Sequence, residues 1–224
     1  MTYFATIMLV FRKDLLAERR SREILSSMLV FALLSVIIFI FSFELLADLQ
    51  KAAFAGTLWV SLCFAGTLGL TRSFSLEREN NALAGMMLSP VDRSAIYFGK
   101  VLANWVFMLV LSVILVPVEG FFFNLNPFQW ATLGIILLGT LGYALCGTFL
   151  AGITGRLRNR ELYLPILLFP VIIPLLLAAI RATSAALNGG VAGEIGTWLL
   201  LMSGYDILFV AVGLLLFEAV IADA

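Results

Sequence analysis

Histidine is absent from the 224-residue chain, and charged side chains make up only 12% of it. The lack of histidine removes the most common general base, the most common metal ligand and the usual axial ligand of haem. The sequence also has no glycine-rich phosphate loop followed by Lys-Ser or Lys-Thr, the motif with which many ATPases hold nucleotide. We therefore expect this chain not to be an enzyme and to bind no metal or cofactor of its own.

Cysteine is almost as scarce, since Cys63 and Cys146 are the two that occur, each inside an apolar run. Such positions are typical of small apolar residues in a helix interface, rather than of a disulfide or a metal site. The formal net charge is zero, so the overall charge gives no indication of a nucleic-acid partner. Hydrophobic residues, in contrast, make up 62% of the chain, whereas a soluble domain is about half apolar. The composition predicts a protein embedded in a bilayer.

Six apolar runs are each close to the roughly 20 residues that a helix needs to cross the hydrocarbon core. The predicted spans are residues 28–46, 52–70, 101–123, 128–153, 162–180 and 205–222. The alternation expected of a membrane β-barrel is missing, and backbone polar groups in lipid must be satisfied within the chain. The sequence therefore predicts an all-α membrane protein, a single transmembrane domain over residues 1–224 with six transmembrane helices.

Two further elements flank these spans. Residues 1–24 predict an amphipathic helix in the headgroup layer, because Phe4, Met8 and Leu15 share one face and arginines crowd the other. A seventh span is the competing interpretation. Residues 188–202 are apolar but too short to cross, so they predict a short re-entrant helix on the outer side, with Gly204 as the break before the last span.

The distribution of positive charge predicts the orientation. Of the 14 basic residues, 12 lie before the first span or in the connections 72–100 and 155–161. The other two, Lys51 and Arg181, lie toward the opposite ends of the spans. Because cytoplasmic connections are enriched in Lys and Arg, both termini and these two connections are predicted to be cytoplasmic.

The most distinctive cytoplasmic segment is residues 75–95, between the second and third spans. Residues 75–88 can form an amphipathic helix, which Pro90 ends, and Asp92 or Ser94 can cap the helix that follows. A methionine-rich apolar surface of this kind suits a groove on a soluble partner, whereas a helix lying flat on lipid is the alternative. The apolar surface consists of Leu76, Leu83, Met86 and Met87, beside the polar residues Glu77, Arg78, Glu79 and Asn80.

Prolines and acidic residues inside the spans are the other candidates. The fifth span carries Pro165, Pro170 and Pro174, which predict a bent or locally unwound helix; it is either a moving part or one in which prolines are simply tolerated. Glu119 is predicted to mark a pathway near the outer end of the third span, where Pro117 and Gly120 are expected to open the helix locally. For Glu119 and the other acidic residues at span ends, a side chain reaching the interface is the alternative; these others are Glu44, Asp206 and Glu218.

Several motifs occur in an order that resembles a known family. They are Arg72-Ser-Phe74 with Glu77-Arg-Glu79, then Leu88-Ser-Pro90-Val-Asp92, then Gly99-Lys100, the three prolines and Tyr205-Asp206. Together with the six spans they are similar to ABC-2 type permeases and, more narrowly, to the haem exporter protein B (CcmB) family. The resemblance covers essentially the whole chain.

This resemblance implies a subunit of a haem-handling ABC assembly in the bacterial cytoplasmic membrane. The expected partners are a second copy of the permease, a CcmA-like ATPase that binds ATP, CcmC-like and CcmD-like membrane proteins, and a CcmE-like haem chaperone. Haem is either the transported cargo, or the ATPase cycle releases the loaded chaperone. The residues expected to couple to the ATPase are Glu77, Glu79, Asn80, Leu83, Met86, Met87, Leu88 and Pro90.

Three alternatives remain from the sequence. An ABC-2 permease for a lipid, drug or glycan shares the broader features. A proton-coupled secondary transporter would require inverted repeats, and none is evident. A passive membrane scaffold would keep the bundle without contacting an ATPase.

Overall fold

The computed structural model describes residues 2–43, 50–79, 92–154, 160–190 and 192–222. Within these ranges the chain forms helices and no strand. The helices are α1 (Tyr3–Ser21), α2 (Glu23–Phe43), α3 (Gln50–Glu79), α4 (Arg93–Phe122), α5 (Trp130–Thr154), α6 (Arg160–Leu187) and α7 (Ala192–Ala222). Six of them, α2 to α7, are long and apolar enough to cross a membrane. The prediction of an all-helical protein with six spans is confirmed.

The spans pack as an up-and-down bundle around α3 and α5. Met28 of α2 contacts Gly69 of α3, and the ring of Phe31 lies 6.3 Å from that of Phe64, so α2 and α3 run antiparallel. On the other side, α5 contacts α4, α6 and α7. Large apolar side chains of α2 and α7 stay exposed on the outer surface, as expected for helices that face lipid.

Small residues let α5 approach its neighbours closely. A Cβ on Gly147 would overlap Leu70 of α3, and one on Gly152 would meet Phe217 of α7 at 2.9 Å. Small residues allow such close approach between membrane helices. Both partner helices belong to the same chain.

The amphipathic helix α1 does not join the spans. It lies against α4, where a Cβ on Gly99 would be only 2.6 Å from Val10 Cβ. Phe11 and Leu15 pack against the bundle core, whereas Phe4 and Met8 remain exposed. The seventh-span interpretation is therefore wrong, because α1 is both too polar and packed sideways against a span.

The prediction of a short re-entrant helix over residues 188–202 is wrong. The structure has one continuous helix, Ala192–Ala222, that passes through Gly204 without a break. A glycine inside a helix costs only about 1 kcal/mol relative to alanine, and inside lipid any break leaves backbone groups without partners. This helix begins at Ala192, so the last span starts earlier in the sequence than the predicted residue 205.

The prolines do not interrupt their helices either. The backbone stays helical through Pro165, Pro170 and Pro174 in α6, and through Pro117 in α4. The unwound turn predicted for α6 and the local opening predicted for α4 are therefore absent from these helices. Pro170 and Pro174 lie on the exposed face of α6, so the lost hydrogen bonds fall away from the packed side.

Candidate functional site

The end of the bundle that carries α1, the last turns of α3 and the first turns of α4 is called here the basic end. Helix α4 begins there with a side-chain cap, because Asp92 Oδ1 accepts hydrogen bonds from Ser94 N at 3.0 Å and from Ser94 Oγ at 2.7 Å. The Ser94 hydroxyl also lies 3.0 Å from the hydroxyl of Tyr3 in α1. The predicted capping by Asp92 is confirmed, and the cap is tied to α1.

A buried lysine lies at the centre of the basic end. Lys100 of α4 is 1% exposed, and its Nζ lies 3.6 Å from Asp14 Oδ2 of α1. The same Nζ lies 4.8 Å from the ring centroid of Phe74 in α3. An ammonium group taken out of water needs an opposite charge nearby, and an aromatic face adds a further favourable contact. Lys100 therefore joins α1, α3 and α4. Lys13 Nζ lies 3.1 Å from Asp14 Oδ1, on the outer side of this carboxylate.

The predicted coupling segment begins as part of a span. Ser75, Glu77 and Glu79 belong to α3, which runs unbroken to Glu79, so the prediction of a separate helix starting at Ser75 is wrong. The hydroxyl groups of Thr71 and Ser75 donate to carbonyl groups one turn earlier, at 2.8 and 2.9 Å, which keeps these polar residues compatible with the helix. The other predicted coupling residues lie outside the described residues: Asn80, Leu83, Met86, Met87, Leu88 and Pro90.

Glu119 lies at the opposite end of the bundle and faces inward. Its side chain is fully buried, and its Oε2 accepts a hydrogen bond from Thr57 Oγ1 of α3 at 2.9 Å. Its Oε1 has no hydrogen-bond partner among the described residues. The alternative of a carboxylate reaching the interface does not apply to Glu119, because the helix turns this side chain toward α3.

Hydrogen bonds also join α3, α4 and α5 in the interior. Tyr143 donates to the Cys63 carbonyl at 2.9 Å and lies 2.8 Å from the Thr67 hydroxyl, while Asn104 donates to Thr148 at 3.0 Å. Cys63 and Cys146 are buried free thiols in the helix interfaces, as predicted. Among the described residues, no cluster of three or more cysteine and carboxylate side chains has the arrangement of a metal site.

The structure does not bring all the sequence candidates together. Helix α6 contains Pro165, Pro170 and Pro174. Glu119 contacts α3 at the end of the bundle opposite the coupling segment. The sequence did not predict the Lys100–Asp14 ion pair. A lysine directly after a glycine, near the start of an apolar helix, could have indicated a buried charge at this position. Its partner is far away in the chain, and nothing in the sequence pairs the two.

The sequence of this chain is similar to those of known proteins. The family model described as CcmB protein matches residues 5–222, which is nearly the whole chain. A protein named heme exporter protein B from Pseudomonas aeruginosa is 28% identical over 183 residues, covering 81% of this chain and 82% of that protein. The Escherichia coli K12 protein of the same name is 30% identical over 189 residues, covering 79% and 81%.

A third relative matches a shorter stretch. The heme exporter protein B of Rhodobacter capsulatus is 31% identical over 124 residues, which cover 55% of this chain and 57% of the length of that protein. The match therefore rests on long alignments to some relatives and a partial alignment to this one.

Proposed function

The chain belongs to the CcmB family, and on that premise we propose that it is the membrane-spanning permease subunit of an ABC transporter that acts on haem. The observation that carries the proposal is the family match over residues 5–222, together with relatives named heme exporter protein B. The six-span bundle supplies a membrane body of the kind a permease needs.

In this proposal the energy enters through a separate CcmA-like ATPase, because the sequence has no phosphate-binding loop. Two permease copies and two ATPase copies form the core, with CcmC-like, CcmD-like and CcmE-like proteins beside it. Partner proteins ligate the haem, since this chain has no histidine to serve as an axial ligand. The cycle serves cytochrome c maturation, either by moving haem or by releasing the loaded chaperone.

The proposed location is the bacterial cytoplasmic membrane, with the basic end in the cytoplasm. Exposed Arg19, Arg20 and Arg22 at the end of α1 support this orientation, because basic residues are retained on that side. The exposed apolar residues Phe4 and Met8 of α1 then lie in the headgroup layer.

The basic end also suggests how an ATPase movement reaches the spans. Residues 80–91 connect α3 to α4, and the last turns of α3 meet α1 and α4 at Lys100. A force applied to this connection therefore acts on three helices that are joined by a buried charged contact. The proposed contact with the ATPase is the apolar surface that includes Leu83 and Met87.

Replacement of Leu83 by Asp tests this contact. A charge forced against an apolar groove costs several kcal/mol, so the Leu83→Asp permease is expected to insert normally but to lose copurification with the ATPase. Asn81→Asp is the matched control, since it adds the same charge about half a helical turn away, on the opposite face of the predicted helix. The control is expected to copurify with the ATPase like the unmodified permease.

Two other results would count against the proposal. Undiminished association of Leu83→Asp returns the segment to the lipid-surface alternative. If the unmodified chain, isolated gently from its native membrane, brings no ATPase with it, the proposed permease role fails and the scaffold alternative is favoured.

A further inference from the structure

Asp206 lies at the middle of the membrane-spanning part of the bundle. It is one residue before the centre of α7, which runs from Ala192 to Ala222. It faces Gly142, the central residue of α5, and Leu175, which is close to the middle of α6. Three span centres thus meet at this carboxyl group, whereas the sequence had predicted it near an outer helix end.

The carboxyl group of Asp206 is buried and isolated. The residue is 6% exposed, and neither Oδ1 nor Oδ2 has a hydrogen-bond partner among the described residues. An ionised carboxylate without a partner in hydrocarbon is far more costly than a neutral carboxylic acid. In this arrangement of the helices the group must therefore carry a proton.

The surroundings are shaped to hold the group. A Cβ on Gly142 would overlap Asp206 Oδ1 and lie 2.8 Å from Leu175 Cδ2, so only a glycine leaves room for the carboxyl. A bound cation such as Ca²⁺ needs about six to eight oxygen ligands, and a glycine with a leucine supplies no side-chain oxygen. A proton is the ligand that fits a single carboxyl in apolar surroundings.

The neighbouring ionisable groups do not offer a counter-charge. On α5 they are Cys146, one turn from Gly142, and Tyr143, whose hydroxyl is bonded to α3. On α7 Tyr205 donates to the Val171 carbonyl of α6, and on α4 Tyr97 lies two turns away, against Gly213. Helix α6 has no ionisable residue between Tyr163 and Arg181. All of these groups near Asp206 are neutral at neutral pH.

We propose that Asp206 is a proton-binding site at the membrane mid-plane, which holds its proton while α7 is packed on Gly142 of α5 and releases it when α7 moves away. Separation of the two helices admits water to the carboxyl. The O–H bond then breaks, the proton passes to water, and the carboxylate stays hydrated until the helices close again. Repacking requires the proton to return, because a bare carboxylate cannot be buried there.

Infrared spectroscopy of the full chain in lipid nanodiscs tests the bound proton directly. At neutral pH the difference spectrum between the unmodified protein and Asp206→Asn is expected to show the C=O stretching band of a protonated carboxyl in apolar surroundings. The difference removes the contribution of the buried Glu119 carboxyl group. Glu194→Gln is the matched control, because Glu194 is an exposed acid on the same helix, and it is expected to keep the band. Gly142→Ala keeps the acid but displaces it, so the band is expected to shift.

The release step is tested by hydrogen–deuterium exchange of the same band with the ATPase present. Exchange in D₂O is expected to be slow at rest and at least tenfold faster during ATP turnover. Absence of an Asp206-dependent band at neutral pH overturns the bound proton, and equal exchange at rest and in turnover overturns the release. The first measurement uses the permease alone, so its result does not depend on the proposed ATPase partnership.

Discussion

Glu18 is expected to hold the angle between α1 and the first span. Helix α1 ends at Ser21, its C-cap residue Arg22 adopts a left-handed conformation with φ of 56°, and α2 starts at Glu23. Glu18 reaches across this bend, and its two carboxylate oxygens accept hydrogen bonds from Ile24 N at 3.1 Å and Leu25 N at 2.8 Å. The carboxylate thus occupies the positive end of the α2 dipole and satisfies two amide groups that have no helical partner.

The magnitude follows from these two bonds. Glu18 is 3% exposed, so the bonds are shielded from water, and hydrogen bonds to a charged group contribute about 1.5–3 kcal/mol each. When the side chain is removed at a helix end, water replaces part of this hydrogen-bond free energy. Glu18→Ala is therefore expected to lower the local stability at the start of α2 by about 2–3 kcal/mol. Since about 1.4 kcal/mol is a factor of ten, the local opening equilibrium rises roughly 30- to 150-fold.

Amide hydrogen exchange of peptides that cover residues 22–27 measures this change. Exchange at Ile24 and Leu25 is expected to accelerate in Glu18→Ala, with Glu18→Gln intermediate because a neutral amide keeps one acceptor. Glu23→Ala is the matched control, because Glu23 is a neighbouring acid in an exposed ion pair with Arg72, which contributes little. Equal exchange in Glu18→Ala and the unmodified protein would refute the capping role.

Two further predictions concern packing and orientation. Gly139→Ala is expected to destabilise the bundle by about 1–3 kcal/mol, because its Cβ would overlap the Trp59 ring. Gly134→Ala on the same helix is the control and is expected to be neutral, because a Cβ there has no atom of another helix within 4 Å. Thermal unfolding in detergent compares the two variants. In a background with Cys63 and Cys146 replaced by Ala, cysteines at the exposed positions Arg20 and Asn188 are expected to react with a membrane-impermeant reagent from opposite sides, and labelling of both from outside would contradict the predicted orientation.

The spans and their order were predictable from sequence because lipid leaves the chain few choices. Apolar runs of about 20 residues become helices whatever their detailed residues, and the cap at Asp92 is set by neighbours in the chain. The continuity of α7 through Gly204 was not predictable in the same way. In water a flexible glycine region often ends a helix, but in lipid no water replaces the lost backbone bonds, so α7 continues.

The sequence also did not predict which way a side chain points around its helix axis. Hydropathy placed Glu119 correctly near one end of its span, yet only packing decides that this carboxyl turns inward to Thr57. For Asp206 even the predicted position along the span was wrong, because the predicted span began at residue 205 whereas the helix begins at Ala192. The contact between Lys100 and Asp14 joins distant parts of the chain, and a single sequence carries no signal for such a pairing.

The hydrogen bonds between spans divide the bundle into a firmly joined part and a more separable one. Helices α3, α4 and α5 are joined through Glu119–Thr57, Asn104–Thr148 and the hydroxyl of Tyr143, each bond lying between 2.8 and 3.0 Å. In the described part of the chain, the bonds that reach α7 or leave it are weaker.

Tyr205 donates to α6 at 3.2 Å, and Tyr97 of α4 approaches the Phe209 carbonyl only at 3.5 Å. The contact of α7 with α5 depends mainly on shape, with the carboxyl of Asp206 against Gly142 and the ring of Phe217 against Gly152. The side-chain hydrogen bond between Tyr205 and Cys146 adds little, because a thiol is a weak hydrogen-bonding group. Separation of these surfaces in lipid breaks weaker hydrogen bonds than separation of α3, α4 or α5, so α7 can move at lower cost. A carboxyl group on that helix is therefore where a change in packing most readily becomes a change in protonation.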